Sequence, residues 1–439
     1  MRKSQKRTIM DMDKIKNQEY ISICRDGHGN AFIRNRKMPL HDLLLTMVNR
    51  KGLTLTLELR NYMDIAHPGM AISKPGYLKQ RMKLNPDAFL DLYHYHNKNF
   101  YAEAGFDTYK GWLVLAADGS DINIPTTPET LETYGSSSRK GTKPQAAVGL
   151  GCLYDVMNRM ILESDCSRVK FDEMKIAEMQ VDRIRATIGE QQPFLVVMDR
   201  GYPSTPAFIH FMEKGIYFLA RLKKSDYKKE QAEMKQSDML VEIPLDKSRI
   251  RHYEGTPDGE RMKGLGKIAL RMVRVELDGV GHEVLATNLP EEIFSSHDIA
   301  TLYQMRWGIE SAYETLKSRL QLENFTGTKP RLIQQDIYST IYVSNLSEDI
   351  IGDAEQELDE KDPGYKHKMA INQTIGIGIL KNDFIYIVLE TNEYRKDELF
   401  QRLYDDISKN LVPVRPGRHY KRTKGQLAGK YSNTHKRAF

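Results

Sequence analysis

The chain has 439 residues, of which 40% are hydrophobic and 28% charged, and its formal net charge is +6. That is enough apolar material for more than one core, and too much length for a single simple domain. No apolar run reaches the roughly 18 residues that a membrane-spanning helix needs, so no membrane partner is expected. The start, MRKSQKRTIMDMDK, is basic without an apolar stretch, so secretion is not expected. Cys24, Cys152 and Cys166 lie far apart and form no C-x-x-C pair, which argues against a disulfide framework or a zinc site and for a reducing cytoplasm.

Residues 1–105 read as helical. MPLHDLLLTMVNRKG and NPDAFLDLYHYHNKNFYAEAG repeat apolar residues every three or four positions. Asn85-Pro86 opens the second stretch, with Asn as cap and Pro in the first turn. Just before it, Lys79, Arg81 and Lys83 suit a small helical nucleic-acid-binding unit, and equally an ordinary amphipathic helix pair. Residues 106–221 change period. WLVLAADGSDINIP is an apolar run broken at an Asp. AAVGLGCLYDV and RMILES read as a hairpin, and VKFDEMKIAEMQVDRIRATIG as a helix closed by Gly. PFLVVMDRGYPS is a second apolar strand that ends at an Asp, followed by the helix TPAFIHFMEKG and the strand IYFLAR. This order predicts a mixed sheet with helices packed on it, an α/β domain.

Residues 222–292 interrupt it. SDMLVEIPL, GKIALRMVRVELDG and HEVLATNLP are rich in β-branched residues and predict a β-rich insertion. Residues 293–330 return to helix, and 331–439 form a helical region with a basic tail. No acidic residue follows Asp406, whereas Arg415, Arg418, Lys421, Arg422, Lys424, Lys430, Lys436 and Arg437 do. A second basic knot, SSSRKGTKP, spans 136–144. Such segments fit a polyanion, nucleic acid being the usual one, although a solvated tail has the same composition.

Asp118 in DGS and Asp199 in DRGY each close an apolar run. Ligands collect where strands of α/β sheets end, but an Asp there also forms turns and caps helices, and Asp121 competes with Asp118. The third stretch is YQMRWGIESAYETLK, residues 303–317. At 100° per residue Tyr303, Arg306, Glu310 and Lys317 fall in one stripe about 60° wide. Leu302, Met305, Ile309, Ala312, Leu316 and Leu320 gather on another face, and Ser296 is the expected cap. A carboxylate between cations is ordinarily a surface ion pair worth at most about 1 kcal/mol. Glu314 and Lys317 offer another pair, so spacing does not choose between Glu310 and Glu314. GLGKIAL at 264 does not fit the phosphate-loop pattern, so no ATP-driven chemistry is expected.

Taken together, these pieces resemble the Asp-Asp-Glu triad of RNase H-like transposases. The helix is similar to the Y-(2)-R-(3)-E-(6)-K signature of insertion-sequence transposases of the IS-four family, with Tyr303, Arg306, Glu310 and Lys317 in its four positions. The resemblance favours Glu310 over Glu314 and Asp118 over Asp121. It implies an RNase H-like mixed sheet with flanking helices, interrupted by the β-rich insertion, with a helical N-terminal DNA-binding domain at 1–105. It implies Asp118, Asp199 and Glu310 as catalytic ligands of two Mg2+ ions, Mn2+ substituting, which suits an all-carboxylate donor set. Tyr303, Arg306 and Lys317 would hold DNA phosphates, with Arg200 and Trp307 as further DNA contacts. The implied partners are transposon-end DNA, target DNA and a second copy in a homodimer. The implied reaction is cleavage of the ends followed by joining of the 3′-hydroxyls to target. An end-binding repressor and a nuclease without strand transfer are the alternatives.

Overall fold

The computed structural model describes residues 1–25, 27, 29–33, 37–138, 143–277, 281–361 and 364–414. The basic tail from Arg415 to Arg437, and Arg139 and Lys140 of the second basic knot, lie outside the described residues.

Six helices precede the first strand among the described residues: α1 (Lys3–Lys14), α2 (Gln18–Arg25), α3 (Leu40–Val48), α4 (Leu55–Ala66), α5 (Lys74–Arg81) and α6 (Asp87–Ala102). The Asn85 side chain accepts the Asp87 N–H at 3.1 Å, just ahead of α6, as its sequence suggests. There follow β1 (Leu113–Asn123), α7 (Pro128–Tyr134), β2 (Ala147–Asp155), β3 (Met160–Arg168), α8 (Glu173–Arg183), α9 (Arg185–Ile188), β4 (Phe194–Met198), α10 (Thr205–Glu213) and β5 (Tyr217–Arg221). The β-rich segment supplies α11 (Lys228–Glu233), β6 (Asp238–Pro244), α12 (Lys247–Ile250), α13 (Pro257–Leu265), β7 (Lys267–Leu277) and β8 (Gly281–Thr287). The rest is α14 (Ser296–Met305), α15 (Gly308–Glu314), a π-turn at Thr315–Arg319, α16 (Pro330–Lys361), β9 (Met369–Ile371), α17 (Gln373–Leu389), α18 (Glu393–Ser408) and β10 (Leu411–Pro413). Among the described residues no helix is long and apolar enough to cross a membrane.

The strands β3-β2-β1-β4-β5-β8-β7-β6 make one sheet in that order. β1, β4 and β5 run parallel, and the other neighbours pair antiparallel. The first five strands have the RNase H-like arrangement, so the fold is a mixed RNase H-like sheet with flanking helices. The insertion is not a separate sheet: β8 pairs with β5, so β6, β7 and β8 lengthen the same one.

β1 and β4 are apolar on both faces because helices cover both. On one face Leu113, Leu115, Ala117, Val196 and Met198 pack with Ala177, Val181, Phe208 and Phe211 of α8 and α10. On the other, Val114, Leu195 and Val197 meet Ile299, Leu302 and Tyr303 of α14, while Ala116 joins a core shared with Ile309, Leu316 and the terminal helices. That last core unites α1–α6 with α16–α18, so the N-terminal helices are built onto the rest of the chain. Arg81 is one of the joints and is completely buried. It donates to Gln335, the Leu332 carbonyl and Asp336, each at 2.9 Å. It is therefore closed to DNA, contrary to the expectation from its basic neighbourhood, whereas Lys79 is exposed.

Candidate active site

β1 and β4 pair in parallel from Leu113↔Phe194 to Ala117↔Met198. One position further along each chain come Asp118 and Asp199. Side chains alternate along a strand, so both aspartates continue the face of Val114, Ala116, Leu195 and Val197, beneath α14 and α15. Asp121, three positions on, falls on the opposite face. β1 does not stop at Asp118, as the DGS pattern suggests. It pairs with β2 as far as Asn123↔Ala147, and this cross-strand ladder overrides the local turn residues.

The helix above is not the single regular rod that the angular arithmetic assumes. Its cap is Ser295 rather than Ser296. The Ser295 hydroxyl accepts the Asp298 N–H at 3.3 Å and Asp298 returns the bond to the Ser295 N–H at 2.8 Å, a reciprocal box that needs this spacing. α14 ends at Met305, α15 begins at Gly308, and the π-turn follows, its Leu320 N–H reaching the Thr315 carbonyl at 2.9 Å. π-turns widen the helix and often mark functional sites.

Tyr303, Arg306 and Glu310 lie with the two aspartates. The Tyr303 hydroxyl donates to Asp199 Oδ1 at 3.2 Å. Arg306 Nη2 stands 3.4 Å from Glu310 Oε1. Arg306 is 3% exposed and its Nε has no protein partner. Its guanidinium lies 4.5 Å from the Trp307 ring centroid, while Trp307 itself is exposed. Burial opposes the Arg306 charge, but Tyr303, Asp199, Glu310 and Asp118 together hold its pKa above the usual value. Asp118 is pushed up to about 6 by burial, with Glu173 and Glu310 adding to the rise and the Gly119 N–H and Arg306 opposing it. The buried Tyr313 hydroxyl reaches the Asp118 and Leu150 carbonyls, each at 2.9 Å, and so fixes β1 against β2 at this point.

Lys317 lies within the π-turn and reaches the face of β1 that carries Asp118. Its ammonium donates to Ser120 Oγ at 2.8 Å and to the Asp121 carbonyl at 2.9 Å, and burial lowers its pKa. Glu314 is exposed. Arg200 is exposed in the turn after β4 and lines a cleft of about 380 Å³ with Lys223, Lys224, His282 and Arg221, the last paired with Glu283 at 3.0 Å. Sequence reasoning missed this basic cleft, although the run RLKKS at the end of β5 signals it. It also missed Glu173 and Tyr202, which crowd the same strand ends. Among the described residues, no three acidic, His or Cys side chains are already closed on one point as a metal cage.

The transposase DDE domain family matches residues 110–346, more than half of the chain. The transposase InsG for insertion sequence element IS4 of Escherichia coli (strain K12) is 22% identical over 342 residues, covering 75% of this chain and 73% of InsG. The transposase for insertion sequence element IS421 of Escherichia coli is 33% identical over 114 residues, or 26% of this chain and 29% of that protein. Among solved structures, the piggyBac transposase synaptic complex with hairpin DNA is similar at 11% identity and a TM-score of 0.47, covering 95% of this chain and 87% of that one. The family match makes the chain a transposase, a DNA-cutting and DNA-transposing type of enzyme. The chain belongs to the transposase DDE domain family, in its IS-four branch.

Proposed function

We propose that this transposase binds the inverted-repeat ends of an insertion sequence, cleaves them through a two-ion site at Asp118, Asp199 and Glu310, and joins the freed 3′-hydroxyls to target DNA. The observation that carries the reading is the β1–β4 register, which sets Asp118 and Asp199 side by side under Arg306 and Glu310. The donors are carboxylate oxygens, the choice of hard cations such as Mg2+, with Mn2+ as substitute. An orphaned Nε on a buried arginine among acids suits an incoming phosphate. Asp118, Asp199 and Glu310 would hold the ions. When bound, the ions stabilise the attacking and leaving oxygens of an in-line displacement.

The protein's own groups do the positioning. Tyr303 orients the Asp199 carboxylate through its hydroxyl. Arg306 holds Glu310 and turns its remaining donors to a phosphate oxygen. Trp307 offers an exposed ring on which an unpaired base can stack. Arg200 and the cations of its cleft track the backbone without reading sequence. Lys317 contributes a phosphate contact from its place beside Ser120. Water attacks first at the element end, and the resulting 3′-hydroxyl then attacks target. Two ends are joined at once, so the working unit is a homodimer.

The test is incubation of the full chain with Mg2+, element-end duplex and a target plasmid. Joined product is the expected result. Cutting without joining would reduce the protein to a nuclease, and binding without cutting to a repressor.

A further inference from the structure

We propose that Tyr313 is a positioning residue for DNA cutting: its hydroxyl ties the helix that carries Glu310 to the strand that carries Asp118, and so sets the separation of the two carboxylates. The inference rests on the reading of Asp118, Asp199 and Glu310 as the catalytic carboxylates. β1 is paired on both edges, with β2 and β4, so Asp118 has a fixed seat. α15 is only seven residues long, with a break before it and the π-turn after it. So short a helix takes its place from tertiary contacts rather than from its own ladder. Ile309 and Leu316 press it onto the sheet in the core that holds Ala116, but apolar burial is non-directional and leaves its position along β1 open. A directional bond has to set that position.

Tyr313 supplies it. It follows Glu310 by three positions, so the two side chains are neighbours on the helix. Its hydroxyl donates to the Asp118 carbonyl at 2.9 Å and to the Leu150 carbonyl at 2.9 Å, with 195 positions separating Tyr313 from Asp118. In the β1–β2 register Asp118 faces Cys152 and Ser120 faces Leu150, so the hydroxyl bridges these two rows. Both acceptors are main-chain atoms, which cannot swing away as a side chain can. Tyr313 is 6% exposed, and burial holds its pKa well above the usual value, so the hydroxyl keeps its proton and donates at neutral pH. Enclosed in this way, it acts through Asp118 and Glu310 and not on DNA. Lys317 makes a second tie one turn on, to Ser120 and the Asp121 carbonyl, so helix and strand are pinned at successive turns.

A buried tyrosine hydroxyl on a carbonyl can also serve stability alone, as Tyr20 does on the Ala88 carbonyl at 2.9 Å among the N-terminal helices. That bond provides the control. The full chain with Mg2+ is given labelled element-end duplex, and single-turnover nicking, end affinity by gel shift and the thermal melt are read together, rates being compared at a temperature at which every variant is folded. Tyr313→Phe keeps the ring and is expected to nick about 10-fold more slowly at saturating Mg2+ and DNA, with unchanged end affinity, since reacting groups displaced by about 1 Å cost up to about 100-fold. Tyr20→Phe, which loses the same kind of bond, is expected to nick at the wild-type rate. If Tyr20→Phe slows nicking as much as Tyr313→Phe, the role is structural and the inference is overturned. If Glu310→Gln nicks like the wild type, this inference and the catalytic reading both fail. If Glu310→Gln loses nicking while Tyr313→Phe nicks like the wild type, this inference alone is overturned.

Discussion

At the scale of single residues, the two glutamates of the signature helix separate cleanly. Glu310 faces Arg306, while Glu314 is exposed. Glu310→Gln keeps the size and the hydrogen bonding but removes the charge. Plasmid nicking and joining should disappear while gel-shift binding of the element end persists, and Glu314→Gln should cut normally. The reverse pattern would refute the assignment. Lys317 holds two bonds to β1 yet keeps a donor to spare. Lys317→Met, which keeps the stem, is expected to lower the slope of log affinity against log salt by about 1, the effect of one phosphate. An unaltered slope would leave Lys317 as a strand clamp only. The aspartates could be read from sequence because each ends an apolar run, and the signature spacing supplied Glu310. The packing of Glu173 against Gly119 could not, because the two stand more than fifty positions apart in the chain. The π-turn around Lys317 was not legible, because nothing in TLKSR announces it.

At the scale of elements, the joints between helices are ionic as well as apolar. Asp336 on α16 accepts from Arg81 at 2.9 Å and pairs electrostatically with the Arg50 guanidinium 2.9 Å away, all three nearly or fully out of solvent. Asp336→Ala leaves two cations uncompensated and is expected to cost about 3–5 kcal/mol in urea denaturation. A loss below 1 kcal/mol would mean that water reaches the arginines. α1, α6 and α16 meet at His96, whose Nδ1 lies 2.7 Å from Asp11 and whose Nε2 lies 3.5 Å from Asp349. Arg7 and Tyr342 complete its surroundings. Burial pulls the His96 pKa down and Arg7 opposes its charge, but Asp11 and Asp349 outweigh them and the pKa is raised. The folded state thus holds a proton that the unfolded chain releases near pH 6.5. The stabilisation is complete below about that pH and fades as pH rises through the folded value. The stability gap between wild type and His96→Gln should be wider at pH 6 than at pH 9, and an equal gap would indicate a neutral ring. Helices and strands were legible as local patterns. These joints were not, because each pairs residues some 85 to 342 positions apart.

For the molecule as a whole, the net charge of +6 hides a division. Removing the eight tail cations from Arg415 onward leaves −2 for residues 1–414. Long-range attraction to DNA therefore falls to the tail, while the body contributes local patches such as the Arg200 cleft. A chain ending at Val414 keeps α16–α18 and should melt like the full protein. Its non-specific DNA binding should weaken and its salt slope flatten by several units, at about 0.9 per lost phosphate contact. An identical slope would move the DNA-binding role back to the folded body.

The pairing of Arg7 with Asp349 and of Ser4 with Asp353 has a consequence for how the protein is made. Arg7 and its acceptor are separated by 342 positions. At roughly 5–20 residues per second, α1 waits about 17–70 s on the ribosome for its seat to emerge. Until then its apolar side stays open to chaperones and to other nascent chains, so active protein should accumulate more slowly than polypeptide.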